Sequence, residues 1–295
     1  GELAPEYDII WAHTTLMAGA ARACFRARAS ILDVDHLGGV DARRAAATRN
    51  GSRLRRMAHQ LDARAISREE RRRIGAYSDI VVCSERERRL MGPVAARVQV
   101  VPNTVPGPDN PYDVAADPTL LFVGSLDYEV NIDALQFLVR DILPRIRGQR
   151  RDARLVVAGR SPTAEVRALA RDPAIELVAD APSLEPLYRG ARAVVAPLRQ
   201  GGGTRIKVLE AMARGKPLIL TPIAAEGLDV TDGREAFIER DSAKFAARCV
   251  QLLNDGAVAT DMGLRGRRMW QKLHRPEAAI GRIAEVLASA GAPGP

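Results

Sequence analysis

PLRQGGGTRIKVLEAMARGKPLILT, residues 197–221, sets three consecutive glycines between an apolar run and a helix-forming stretch. RAVVAPL (192–198) before it and KPLILT (216–221) after it read as strands, so the segment is a strand–turn–helix–strand unit of an α/β sheet. Gly201, Gly202 and Gly203 let a backbone approach a ligand without Cβ clashes. The helix start that follows offers unpaired amide N–H groups and the positive end of the helix dipole, which suit phosphate oxygens. Arg205 and Lys207 add positive charge, and Glu210, one turn further on, can accept hydrogen bonds from sugar hydroxyls. Alone, such a loop is equally well read as a tight strand-to-helix connection.

Working outward, the same alternation recurs on both sides. Upstream, YDIIWAH (7–13), ASILDVDH (29–36), SDIVVCS (78–84) and RVQVVPN (97–103) read as strands, with a basic helical run over about residues 41–76. Ser84 with Glu87 three residues later forms a helix-capping pair. VPGPDNPYDVAADP, residues 105–118, is rich in Pro, Gly, Asp and Asn and reads as an interdomain linker. Beyond it, TLLFVGS (119–125), ARLVVAGR (153–160) and IELVAD (175–180) are strands, and NIDALQFLVRDILPRI is one amphipathic helix. Residues 242–290 are helical. Strands alternating with helices predict parallel sheets covered on both faces.

Composition narrows the function. The chain has 295 residues, enough for two ordinary domains, and no apolar run of the length that spans a bilayer. Cys24, Cys83 and Cys249 lack metal-ligand spacing, and a disulfide framework is not expected; a reducing cytoplasm is the default. The net charge is +8, carried almost wholly by Arg, since Lys207, Lys216, Lys244 and Lys272 are the only lysines. That charge points to an anionic small ligand or an anionic membrane surface. Aromatics at 4% supply few stacking platforms, so nucleic acid is not expected. Asp33 and Asp35 form a DVD triplet of the kind that holds a cation through a diphosphate.

Residues 120–232 resemble the donor domain of family-4 glycosyltransferases with the GT-B fold. The resemblance runs in order through LLFVGSLDYEVNIDAL, LVVAGRSP, VADAPSLEPLY, VVAPLRQGGGTRIKVLEAMARGKPLILT and AAEGLDV. The earlier strands are similar to the acceptor domain of that family. The resemblance implies two Rossmann-like parallel-sheet domains, the first one short: residues 1–104 a partial acceptor-side domain, 105–118 a linker, 119–270 the nucleotide-sugar donor domain, and 271–295 a C-terminal helix crossing back to the first domain. It implies a retaining, metal-independent hexosyltransferase of polysaccharide biosynthesis. This enzyme moves a sugar from a UDP-, GDP- or ADP-linked donor to a glycan or lipid-linked acceptor, and no cofactor is expected.

Carried onto this sequence, Glu210 matches the second Glu of the family's paired signature and would bind the ribose. Arg205 and Lys207 would clamp the diphosphate. Gly124 and Ser125 would approach the phosphates with Gly201, Gly202, Gly203 and Thr204, and the loop holding Asp180, Ser183 and Leu184 would contact the base through its backbone. Apart from the resemblance, His36 is placed by its position after the second strand to face the acceptor and steer its hydroxyl, or else to serve as a structural loop histidine. Gly202 departs from the family pattern, because the first Glu of the signature belongs there; GGGTR is a branch variant of that signature. The first strand–turn–helix unit of an acceptor domain is also missing from the pattern, which implies a truncated or reduced domain, in a chain whose first residue is Gly1. A nucleotide-sugar-binding protein without turnover, or an epimerase of the same fold, are the alternatives.

Overall fold

A computed structural model describes residues 6–48, 53–94 and 96–291. The chain divides into two units: residues 1–103, 202–204 and 277–295 form the first, residues 104–201 and 205–276 the second.

In the first unit, β1 (Glu6–His13), β2 (Arg26–Val34), β3 (Asp79–Val82) and β4 (Arg97–Val100) form an all-parallel sheet in the order β1-β2-β3-β4. The crossovers are α1 (Thr14–Cys24), the pair α2 (Gly38–Thr48) and α3 (Arg53–Ile74), and α4 (Glu85–Met91). The part of the expected helical run at residues 49–52 lies outside the described residues. Period-two alternation divides the core: Leu32, Val34, Ile80 and Val82 point to one face, Ile31 and Val81 to the other. Two carboxylates set local geometry here. Glu70 on α3 accepts the Gly38 and Gly39 N–H groups at 2.9 and 3.2 Å, at the start of α2. Ser84 caps α4 by accepting the Glu87 N–H and donating to the Glu87 carboxylate, the reciprocal pair that the sequence predicts.

The second unit holds β5 (Thr119–Val123), α5 (Glu129–Phe137), α6 (Leu143–Gln149), β6 (Arg154–Gly159), α7 (Ala164–Leu169), β7 (Ile175–Ala179), α8 (Glu185–Gly190) and β8 (Ala193–Ala196). It continues with α9 (Ile206–Ala213), β9 (Leu218–Leu220), α10 (Pro222–Ala225), β10 (Phe237–Ile238), α11 (Ser242–Asn254) and α12 (Gly256–Leu273). Its six parallel strands run in the order β10-β9-β8-β5-β6-β7. The central strands Leu120–Val123 and Val194–Ala196 are buried apolar runs, as a sheet covered on both faces requires. Strand order reverses between β5 and β8, and the carboxyl ends there form the crevice in which open α/β sheets take ligands.

The single amphipathic helix expected after β5 is instead two helices joined by a π turn, Leu138–Ile142. Pro144 has no N–H to give to the carbonyl four residues back, and the widened turn absorbs that loss.

Residues 105–118 read as a linker but pack, with Thr104, as a strap on the second unit. Val105 and Tyr112 are buried in its core. The Val105 N–H donates to the His274 carbonyl at 3.0 Å, and the Trp270 indole N–H donates to the Val105 carbonyl at 3.0 Å. Arg267 donates to the carbonyls of Pro108 and Asp109 at 2.7 and 2.6 Å. The buried Lys216 ammonium donates to Asp113 at 2.6 Å, Ala191 at 3.0 Å and Arg189 at 3.3 Å, all backbone carbonyls. Burial pulls its pKa down to about 8. Gly107 is needed where it stands, because a Cβ there would lie 2.8 Å from both Ala213 and the Trp270 ring.

The last helix, α13 (Pro276–Ser289), groups from Glu277 onward with the first unit. Val286 packs with Ile31 and Val81, and Gln99 donates to the Ser289 hydroxyl at 2.9 Å.

Candidate functional site

The turn after β5 is the floor of the candidate site. At Gly124 a Cβ would lie 2.7 Å from the Asn131 amide nitrogen and 2.7 Å from the Lys207 ammonium, so three elements meet at this glycine. Gly159, ending β6, is equally constrained, since a Cβ there would collide with the Gly124 carbonyl oxygen. Asn131, in the first turn of α5, is buried. Its amide donates to the Ser125 carbonyl at 2.8 Å, and its oxygen accepts from the Lys207 ammonium at 2.6 Å. One asparagine thus fixes both the Gly124–Ser125 turn and the cation above it.

Lys207 projects from the first turn of α9 over the Phe122 ring, 4.9 Å from its centroid. Burial, reinforced by the neighbouring Arg205 charge and opposed by Glu210, lowers its pKa to about 7. Arg205 is not helical: it is the N-cap residue of α9, with ψ 86°. Its guanidinium donates to the Gly201 carbonyl at 2.8 Å and reaches the Ile223 carbonyl at 3.5 Å. Only Lys207 of this pair is therefore on the helix, and the Arg205 charge is near enough to lower the Lys207 pKa. Arg205 also braces the glycine turn, where Gly201 at φ +106° and Gly203 at φ +70° take conformations that favour glycine.

Glu210, one turn beyond Lys207, accepts the Tyr188 hydroxyl at 3.2 Å. Tyr188 is fully buried, and burial followed by the Glu210 charge raises its pKa, so the phenol stays a donor and aims the carboxylate. Arg214 holds the arrangement from behind: it stacks 4.5 Å from the Tyr188 ring centroid, donates to the Glu210 carbonyl at 2.8 Å and pairs with Glu185.

The loops after β6 and β7 are tied together. Asp180 (φ +51°) accepts the Ser161 N–H (φ +55°) at 2.9 Å, while its own N–H donates to the Gly159 carbonyl at 2.9 Å. Ser183 accepts the Glu185 N–H at 3.2 Å, and Leu184 is the N-cap of α8. The Asp180 and Ser183 side chains spend these hydrogen bonds on loop shape.

Gly124, Ser125, Asp180, Ser183, Leu184, Gly201, Arg205, Lys207 and Glu210 all belong to the second unit. Gly202, Gly203 and Thr204 group with the first unit, as does His36, which lies exposed in the loop after β2. Asn131 and Tyr188 carry much of the geometry and were not singled out from the sequence. A polar residue in the first turn of the helix, six residues beyond Ser125 of the Gly–Ser turn, is the signal that identifies Asn131. A cavity of about 510 Å³, lined by Thr119, Arg154, Ile175, Glu176 and Leu187, lies at the opposite, N-terminal ends of β5, β6 and β7 and contains none of these residues.

In the first unit the DVD carboxylates meet a histidine. His13 lies 3.3 Å from Asp33 through Nδ1 and 3.4 Å from Asp35 through Nε2. One donor atom from each of the three residues falls within 4.8 Å of the others. Burial raises the Asp33 pKa despite the attraction of His13.

Comparison with known proteins bears on the family and the fold. Residues 117–255 match the family model described as glycosyl transferases group 1. An uncharacterized 44.6 kDa protein in the cps region of Klebsiella pneumoniae is 26% identical over 140 residues, 44% of this chain and 36% of that protein. Among solved structures, TarM superposes with a TM-score of 0.73 at 12% identity, covering 94% of this chain and 54% of TarM. Anabaena HepE in complex with UDP and glucose superposes with a TM-score of 0.69 at 12% identity, covering 96% of this chain and 78% of HepE. The chain thus spans about half of TarM and about a third of the Klebsiella protein. The fold is that of GT-B glycosyltransferases, with two units each built on a parallel sheet.

Proposed function

We propose that this chain is a retaining glycosyltransferase of family 4, metal-independent and of hexosyltransferase type, that moves a sugar from a nucleotide-sugar to a glycan or lipid-linked acceptor. The observation that carries the reading is the Gly124–Asn131–Lys207 cradle at the switch point of the second sheet, with Glu210 one helical turn away. HepE, crystallised with UDP and glucose, supports a uridine nucleotide among the UDP, GDP and ADP alternatives.

In this reading Lys207 and Arg205 stabilise the diphosphate as the bond from the sugar's anomeric carbon to phosphate oxygen breaks. The acceptor oxygen bonds to that carbon on the same face, and its proton passes to the departing phosphate. Glu210, aimed by Tyr188, holds the ribose hydroxyls. Gly124, Ser125, Gly201, Gly202, Gly203 and Thr204 approach the phosphates, Asp180, Ser183 and Leu184 border the base, and His36 steers the acceptor. The work is orientation and preorganised charge. A hydrogen bond to a charged group contributes about 1.5–3 kcal/mol, so loss of Arg205 or Lys207 slows turnover at least about tenfold. The place of action is the cytoplasmic face of an anionic membrane, in polysaccharide biosynthesis.

Calorimetric titration with UDP, GDP and ADP tests the donor site: one of them binds the wild type, and Glu210→Ala weakens it. If no nucleotide binds at about millimolar concentration, the donor reading fails. Gly202, in place of a sugar-contacting Glu, favours a second reading, a binding protein without turnover. Release of nucleotide from a donor panel eliminates that one.

A further inference from the structure

Residues 1–103 hold 18 arginines against 12 acidic residues and no lysine. Much of that excess lies on α3, with eight arginines against Asp62, Glu69 and Glu70. The helix has one buried stripe, Ala63, Glu70 and Ile74, at helical spacing. On the opposite side stand Met57 and Leu61, 57% and 56% exposed, followed along the same face by the exposed Arg64, Arg68 and Arg72. The acids cancel only part of this charge. Glu70 is turned inward onto the start of α2, Glu69 pairs with Arg72 and Arg73, and Asp62 is exposed elsewhere on the helix, which leaves Arg64 and Arg68 as the outward charge of this face.

Arg73 also donates to the Thr15 carbonyl at 3.1 Å, which brings the start of α1 to the last turn of α3. There Leu16 and Met17 are 76% and 54% exposed. The basic face of α3 is thus flanked at both ends by protruding, flexible apolar side chains. Among the described residues, nine of twelve exposed large hydrophobic side chains belong to the first unit, the others being Tyr128, Ile206 and Leu264. No described helix is long and apolar enough to cross a membrane.

We infer that the outer face of α3, together with the start of α1, docks on an anionic lipid bilayer. The arginines meet lipid phosphates while Met57, Leu61, Leu16 and Met17 enter the headgroup boundary. Charge complementarity selects this occupant: a neutral partner leaves the arginines unanswered, and each basic side chain near an anionic surface is worth about 1 kcal/mol. Buried apolar area adds to that attraction. This deepens the proposed membrane contact by assigning its surface, yet it rests on the first unit alone. Lipid binding can therefore fail while the donor site stands, and the reverse.

The test is co-sedimentation of the full chain with vesicles of equimolar phosphatidylglycerol and phosphatidylcholine, against phosphatidylcholine vesicles and a DNA duplex. Binding to the anionic vesicles alone is expected, falling as salt rises. Arg64→Gln with Arg68→Gln weakens it roughly thirtyfold, and Leu61→Asp, which leaves every arginine in place, weakens it at least about tenfold. All three substituted side chains are exposed, so unchanged thermal unfolding accompanies the loss. Failure to sediment with anionic vesicles, equal binding to neutral ones, unaltered binding by both variants, or tighter binding to DNA overturns the inference.

Discussion

Lys216 and Arg68 are cations of one chain that do opposite work. In the second unit, Lys216, Arg267, Lys207 and Arg205 are turned inward, where they answer backbone carbonyls or the Asn131 amide oxygen. In the first unit, Arg64 and Arg68 project from α3 into water. The sheets differ in parallel. The six-stranded sheet reverses order at β5 and β8, gaining a crevice; the four described strands of the first run in one direction and have no such reversal. These second-unit cations are held by internal acceptors, while those on the outer face of α3 are presented to solvent.

The largest effect should come from Lys216→Met. It strips the donor from the Asp113, Arg189 and Ala191 carbonyls and should cost roughly 3–5 kcal/mol, the range for breaking a buried charged contact. Urea unfolding followed by tryptophan fluorescence would report it; a loss below about 1 kcal/mol would erase the contrast.

Gly124→Ala comes next. The atoms a Cβ would meet are the ends of the Asn131 and Lys207 side chains, which can move, so the damage falls on the site more than on the fold. An overpacking cost of about 1–3 kcal/mol should lower nucleotide affinity roughly tenfold, while far-ultraviolet circular dichroism stays the same.

Lys207 sharpens the comparison through pH. Its folded pKa is depressed to about 7, so the ammonium is fully charged only below that value. A diphosphate favours the charged form, and binding above pH 7 must take up a proton. Affinity for a nucleotide-sugar, whose diphosphate does not titrate in this range, should fall as pH rises past about 7, by up to about tenfold per unit. Lys207→Met should bind weakly and show no such slope. A flat wild-type profile would remove Lys207 from the diphosphate. The smallest effect belongs to Arg68→Gln, expected within about 0.5 kcal/mol of wild type in the same urea assay.

Much of the second unit was legible in the sequence because its signals are local. A strand, three glycines, Arg205, a helix with Lys207 and Glu210, and another strand follow one another within residues 192–221. The Ser84–Glu87 cap was legible for the same reason. What stayed hidden depends on distant partners. Nothing near residues 105–118 says that Lys216, Arg267 and Trp270 will bind their carbonyls, so Pro, Gly, Asp and Asn announce irregular backbone without telling a strap from a tether. The orienting roles of Asn131 and Tyr188 likewise require Lys207 and Glu210 to be brought beside them by the sheet. The His13 cluster joins strands twenty residues apart in sequence through the β1–β2 register, His13 opposite Asp33.

The strap also dictates where the molecule can be cut. A recombinant second unit begun at Thr119, where the first of its strands opens, would expose the bare ammonium of Lys216, the guanidinium of Arg267 and the indole of Trp270 on a surface made to be covered. Excision at Thr104 keeps the cover with the body it closes, and residues 104–118 should resist a protease while they stay packed on the second unit.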